Sequence, residues 1–162
     1  MGHDGERLEQ TAEDIRSLGR QAWSFQRDMG QPTECEETCQ EAIAQHGPID
    51  ILINNVGGRR ENIPTEDMTL DKWRELMDLN LTSAFQCTRC LGEHIIHTGQ
   101  GGRIINIASL HSIAAERNIA CRHYQTAKSP TVHLTPPTAR DFTTTRLTDK
   151  FPQYRRFLQA AT

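Results

Sequence analysis

Ile49-Asp50-Ile51-Leu52-Ile53, running into Asn54-Asn55-Val56-Gly57-Gly58, is the stretch on which the fold turns. Its first five residues are mostly apolar and β-branched, the composition of a strand buried on both faces, and Gly47-Pro48 before it stops a preceding helix. Downstream, Leu70, Trp73, Met77, Leu81, Ala84, Thr88, Leu91 and Ile95 recur in steps of three and four. That spacing predicts a long helix, whole or in two pieces, with these side chains on one face. Gly99 to Gly102 closes it, and Arg103-Ile104-Ile105-Asn106-Ile107-Ala108-Ser109 reads as a second buried strand. Strand, helix and strand form a βαβ crossover, expected to be right-handed with its two strands parallel. The fold class is therefore α/β.

Outward from this unit the pattern weakens. Arg7 to Leu18 reads as a polar helix, and Ala22 to Gln26 alternates as a short strand would. Thr33-Glu34-Cys35-Glu36 fits a capping box at the start of a helix running to about His46. Tyr124 and Lys128 fall on a helical turn that Pro130 is expected to end or kink, because a proline inside a helix costs on the order of 3 kcal/mol. Pro136, Pro137 and the Thr-rich residues 143–145 give no clear period, and Arg155 to Leu158 could add one last helical turn.

The 162 residues suffice for one domain with a core. A hydrophobic fraction of 36% and a mean hydropathy of -0.63 are low for buried parallel strands and point to an incomplete core. A net charge of -3 with interspersed signs offers no basic stripe, so neither nucleic acid nor a membrane surface is expected as a partner. Met1 to Glu6 has no signal-peptide core and no stretch approaches a membrane span, so the expected location is cytoplasmic. Five cysteines at irregular spacing read as free thiols. Cys87, Cys90, His94 and His97 share a helical face, but a straight helix spreads them over about 15 Å, too far to hold one metal ion. Partial burial of that helix, against a neighbour or a second copy, accounts for them better. Cys35 and Cys39 read as ordinary helix residues.

Tyr124 and Lys128, four apart, lie about one turn from each other on a helix face. A nearby ammonium favours the phenolate, and a tyrosine so tuned can exchange a proton with an alcohol or carbonyl oxygen. Ser109, at the carboxyl end of its strand, sits where open α/β sheets bind ligands, and its hydroxyl could bond the same oxygen. Hydride chemistry would need a nicotinamide cofactor. Each residue alone also has an ordinary reading, a helix pair or a strand-end serine of no chemical consequence.

Together with their neighbours these residues resemble the short-chain dehydrogenase/reductase family, from about Arg7 to Phe142. Asp50 to Gly57 is similar to its Asn-Asn-Ala-Gly motif with Val56 for alanine, and Asp78-Leu79-Asn80-Leu81 to its mid-helix asparagine segment. Gly102 to Ser109 is similar to the strand delivering the serine, and Tyr124-Gln125-Thr126-Ala127-Lys128 to its Tyr-x-x-x-Lys signature. The resemblance implies an NAD(P)-dependent oxidoreductase interconverting an alcohol and a carbonyl on a small substrate, closest to members acting on sugar acids and polyols. It implies Tyr124 as acid/base, Lys128 lowering its pKa and holding the nicotinamide ribose, Ser109 binding substrate oxygen, and Asn80 positioning a water. Asn54 would brace the sheet and, with Asn55, belong to the residues that bind NAD or NADP, Gly57 would let backbone pass close to that cofactor, and Asp28 would touch adenine, although its spacing reads almost equally as a solvated turn. Arg59 and Arg60 could meet an anionic substrate or be solvated surface.

The family's opening strand, Thr-Gly-x-x-x-Gly-x-Gly loop and following strand have no counterpart in this sequence, nor is its later Pro-Gly turn recognisable. The expected architecture is thus an incomplete Rossmann-like three-layer α/β/α parallel sheet, missing its first strands and the C-terminal strand. It occupies residues 1–142, with 143–162 a divergent tail. Two functions remain open: the oxidoreductase, or an inactive truncated relative that binds or assembles, with the helix over 80–97 as a homo-oligomer contact.

Overall fold

The structure is a computed structural model that describes residues 1–58, 61–99, 101–109, 112, 122–141 and 147–150. Arg59, Arg60 and the turn expected at Arg155–Leu158 lie outside these residues.

The βαβ unit is present. Strand β1 (Ile51–Asn54) pairs in parallel with β2 (Gly102–Asn106) in the register Ile51 to Arg103 through Asn54 to Asn106. The connection is α3 (Leu70–Met77), a π-helical turn over Asp78–Thr82, and α4 (Ser83–Thr98). The π turn accounts for a departure from the expected stripe. An extra residue in one turn rotates the helix face, so the buried set includes Leu76 before it, Leu79 and Asn80 within it and Ala84, Cys87, Thr88, Leu91 and Ile95 after it, while Leu70 is exposed.

Helix α5 (Arg122–Asp141) follows β2 and leads to β3 (Leu147–Lys150), which pairs in parallel with β2. The sheet, in the order β1-β2-β3, is small, as expected, while β3 lies in the segment where the sequence pattern announced no element. Of the expected effects of Pro130, an end to the catalytic turn is corrected, because α5 runs through Pro130, Pro136 and Pro137. Burial supplies the reason: His123, Ala127, Lys128 and Thr131 are all buried along one side of the helix, and such packing outweighs a propensity cost of about 3 kcal/mol.

On the N-terminal side, α1 (Gly5–Ser17) starts from Asp4, whose carboxylate accepts from Arg7 N at 3.1 Å. The strand expected over Ala22–Gln26 reduces to one parallel bridge between Gly2 and Gln26, in which Gly2 N donates to Phe25 O and Arg27 N to Gly2 O. The capping box at Thr33 does not form. Helix α2 (Pro32–His46) starts two residues earlier, with Gln31 as its N-cap and its first turn set by the fixed φ of Pro32, and no side chain caps it. Glu34 instead accepts from Asp28 N at 2.9 Å, and Glu36 pairs with Arg89 of α4 at 2.6 Å.

The core lies between α2, α4 and one face of the sheet. Met29, Cys35, Cys39, Leu52, Cys87, Leu91, Ile95 and Ile104 form one buried cluster. Full burial of a side chain such as Leu91 or Ile104 stabilises by about 1.5–3 kcal/mol. The opposite face is open at β1: Ile51 is 50% and Ile53 58% exposed. No helix among the described residues is long and apolar enough to cross a membrane.

Candidate functional site

The turn after β1 organises the site. Asn54 ends the strand with its side chain turned into the core, where Nδ2 donates to Asn106 Oδ1 at 2.8 Å and to Thr88 Oγ1 at 3.0 Å. It thereby braces β1, β2 and α4 against one another. Asn55 beyond it is exposed. The chain then passes through Gly57, whose φ of +155° and lack of a side chain are both used: an added Cβ would lie 2.5 Å from Lys128 Nζ and 2.7 Å from Asn80 Oδ1.

Asn80 reaches this turn from the π-helical segment. Its Oδ1 accepts from Gly58 N at 2.9 Å, while Nδ2 donates to Gly58 O and to Leu76 O, each at 3.0 Å. Its own carbonyl accepts from Thr131 of α5 at 3.5 Å. The widened turn leaves an asparagine both buried and satisfied, clamping the glycine turn to the helix.

Lys128 comes from α5, with 5% of its surface exposed. Its ammonium donates to Val56 O at 3.1 Å and to Ile107 O at 3.4 Å, the chain just past each of the two strands. Burial pushes its pKa below the ordinary lysine value. Tyr124 stands one turn earlier on the same helix and is partly buried. Ser109 lies three residues past β2 in a turn whose Ser112 N donates back to Ser109 O at 2.9 Å. Ser129 Oγ donates to Ser112 O at 2.9 Å and so ties this turn to α5 one residue past Lys128. Gly57, Asn80 and Lys128 thus meet directly, with Ser109 and Tyr124 carried on elements anchored beside them.

Gly57 and Gly58 also border an open cleft of about 1050 Å³, lined as well by Met1 to His3, Arg27 to Met29, the edge of β1 and Asn55. Asp28 also lines it, and its Oδ1 accepts from Gly30 N at 3.0 Å in the turn before α2.

Spacing did not reveal the grouping of the cysteines. Cys35 and Cys39 of α2 share one buried cluster with Cys87 of α4 where the two helices pack, and Cys90 packs against that cluster. The paired four- and three-residue spacings on two helices were the available signal, but nothing in the sequence says that the two faces meet.

A family model described as short chain dehydrogenase matches residues 1–148. The chain is 36% identical over 108 residues to the uncharacterized oxidoreductase YohF of Escherichia coli (strain K12), covering 67% of this chain and 42% of that protein. It is 34% identical over 126 residues to 2-dehydro-3-deoxy-D-gluconate 5-dehydrogenase of the same organism, covering 78% of this chain and 49% of the relative. Among solved structures, a 7α-hydroxysteroid dehydrogenase complexed with NADH and 7-oxo glycochenodeoxycholic acid aligns with a TM-score of 0.81 at 26% identity, over 91% of this chain and 56% of that one. The chain therefore spans about half the length of the relatives it matches.

Proposed function

This chain belongs to the short-chain dehydrogenases, and from that premise we propose that it serves an NAD(P)-dependent interconversion of an alcohol and a carbonyl on a small sugar acid or polyol. The observation that carries the reading is the junction of Gly57, Asn80 and Lys128, where a buried ammonium reaches the turn after β1 whose Val56, Gly57 and Gly58 border the cleft. A nicotinamide dinucleotide fits this place in two respects: Gly57 and Gly58 present bare backbone to the cleft, and Asp28 also lines it. Bound there, the cofactor supplies or accepts the hydride.

The chain's own residues handle the proton. Tyr124, one turn from Lys128 on α5, gives a proton to a carbonyl oxygen or takes one from an alcohol. Ser109 Oγ donates to the same oxygen and fixes its position. Lys128 also offers its ammonium to ribose hydroxyls, and Asn80 holds the turn under the cofactor and positions the water through which the proton leaves. Asn54 and Asn55 set the end of β1 along the cleft. Likeness to the gluconate dehydrogenase supports the sugar-acid class.

Titration with NADH and NADPH, followed through the fluorescence of Trp23 and Trp73, tests binding. Saturation at micromolar cofactor, with turnover of a sugar acid lost in Tyr124→Phe while cofactor binding persists, is the expected result. Absence of saturation by either cofactor would refute the reading and favour the inactive, partner-binding relative.

A further inference from the structure

Tyr124 stands in the first turn of α5, where a helix is held least, because its first backbone N–H groups have no partner within the helix. A group that must meet a substrate oxygen from such a turn needs a hold from outside it. Further along α5 the holds are already described: Lys128 on Val56 O and Ile107 O, Ser129 on Ser112 O, and Thr131 on Asn80 O. In the first turn the hold comes from His123, the residue before Tyr124. Its ring is 6% exposed, and Nε2 lies 3.3 Å from Glu61 O, a residue 62 positions away in the chain. A carbonyl oxygen can only accept, so the contact places a proton on Nε2 and makes His123 the donor.

The acceptor is itself fixed. Glu61 follows closely on Gly58, which Asn80 clamps through both its N–H and its carbonyl. The Glu61 carboxylate accepts from Lys72 of α3 at 3.4 Å, and Lys72 also meets Glu75 at 3.4 Å. These ion pairs are exposed and contribute little by themselves, so the buried main-chain contact to His123 carries the join. His123 shares a small pocket with Ile63, Met68 and Leu76, and Leu76 O in turn accepts from Asn80 Nδ2. The turn that carries Tyr124 is therefore tied to the same loop and helix that hold the glycine turn after β1.

We propose that His123 is a positioning residue for the proton transfer: by donating to Glu61 O it fixes the first turn of α5, and with it the place of the Tyr124 hydroxyl. The inference rests on the reading of Tyr124 as the group that exchanges the proton. His123 acts through its neighbour in the chain and not on the reacting atoms. Breaking its bond leaves Gly57, Asn80 and Lys128 joined, so cofactor binding is spared. Proton transfer is not, since a misplacement of about 1 Å can cost on the order of a hundredfold in rate.

Three substitutions in the full chain test the role: His123→Leu, His123→Gln and His123→Asn. A glutamine amide nitrogen can stand where Nε2 stands, whereas that of asparagine stands where Nδ1 does and falls short of Glu61 O. Each variant is assayed for gluconate turnover and for NADH and NADPH affinity. Fluorotyrosine labelling in a Tyr154→Phe background, which leaves Tyr124 as the one tyrosine, adds a fluorine NMR signal that needs neither cofactor nor turnover. His123→Leu and His123→Asn should lower kcat on the order of ten- to a hundredfold, leave cofactor affinity within about twofold, and broaden or split the Tyr124 signal; His123→Gln should restore both rate and line. An unchanged rate and line in His123→Leu, equal losses in His123→Leu and His123→Gln, or a parallel loss of cofactor affinity would overturn the proposal. If the parent chain turns over no gluconate, the sugar-acid reading fails, and the fluorine line alone decides whether His123 fixes Tyr124.

Discussion

Replacing Gly57 by alanine brings a methyl group into the most crowded point of the site. The new Cβ would stand 2.5 Å from Lys128 Nζ, 2.8 Å from its Cε and 2.7 Å from Asn80 Oδ1. An ammonium at the end of a flexible stem could ordinarily swing away, but this one is held by Val56 O and Ile107 O. Moving it gives up a charged hydrogen bond, worth about 1.5–3 kcal/mol. The φ of +155° adds strain for any residue with a side chain, on the order of 1–3 kcal/mol. Gly57→Ala should therefore destabilise the chain by about 2.5–6 kcal/mol in urea unfolding followed by circular dichroism. The steric part can be isolated, since Lys128→Ala removes both offending atoms of that side chain. The double variant should be less destabilised than the sum of the single ones by about 1.5–3 kcal/mol. Additive single effects, or a cost below about 1 kcal/mol for Gly57→Ala, would show that the lysine does not press on this turn.

Lys128 also gives stability a pH dependence. Its pKa in the folded chain lies below the 10.5 of the unfolded chain, so between the two values the unfolded state holds a proton that the folded state has released. Stability then rises with pH across that window and gains nothing further above it; Lys128→Met should lack this rise when the two denaturation profiles are subtracted. Asn54→Ala removes a donor shared by Asn106 and Thr88 in the core. It should cost about 2–4 kcal/mol in chemical denaturation, whereas a loss within about 0.5 kcal/mol would mean the brace carries little.

The strands β1 and β2 were legible because parallel strands buried on a helix-covered face are written as continuous apolar runs, and Gly47 and Gly99 punctuate the helices around them. Tyr124 and Lys128 were legible as a pair because a spacing of four is itself a statement of proximity on a helix. What surrounds them was not. No local pattern says that Lys128 ends against Gly57, or that Asn80 reaches the same turn through a widened helical segment, since both contacts join residues far apart in the chain. Local rules also failed at α5, where the prolines speak of helix breaking while the burial of Ala127 and Thr131 decides the outcome. They failed again at Thr33, where the proline before it had already set the start of α2.

The bare face and outer edge of β1 have a consequence for how the chain behaves in company. Ile51 and Ile53 present an apolar strip beside backbone donors and acceptors that no neighbouring strand takes up among the described residues. Such a margin accepts any extended segment that arrives with matching side chains. The consequence to expect is adhesion between separate molecules that grows with concentration, through the same hydrogen-bonding groups that build the sheet from within; light scattering that stays flat as the chain is concentrated would refute it.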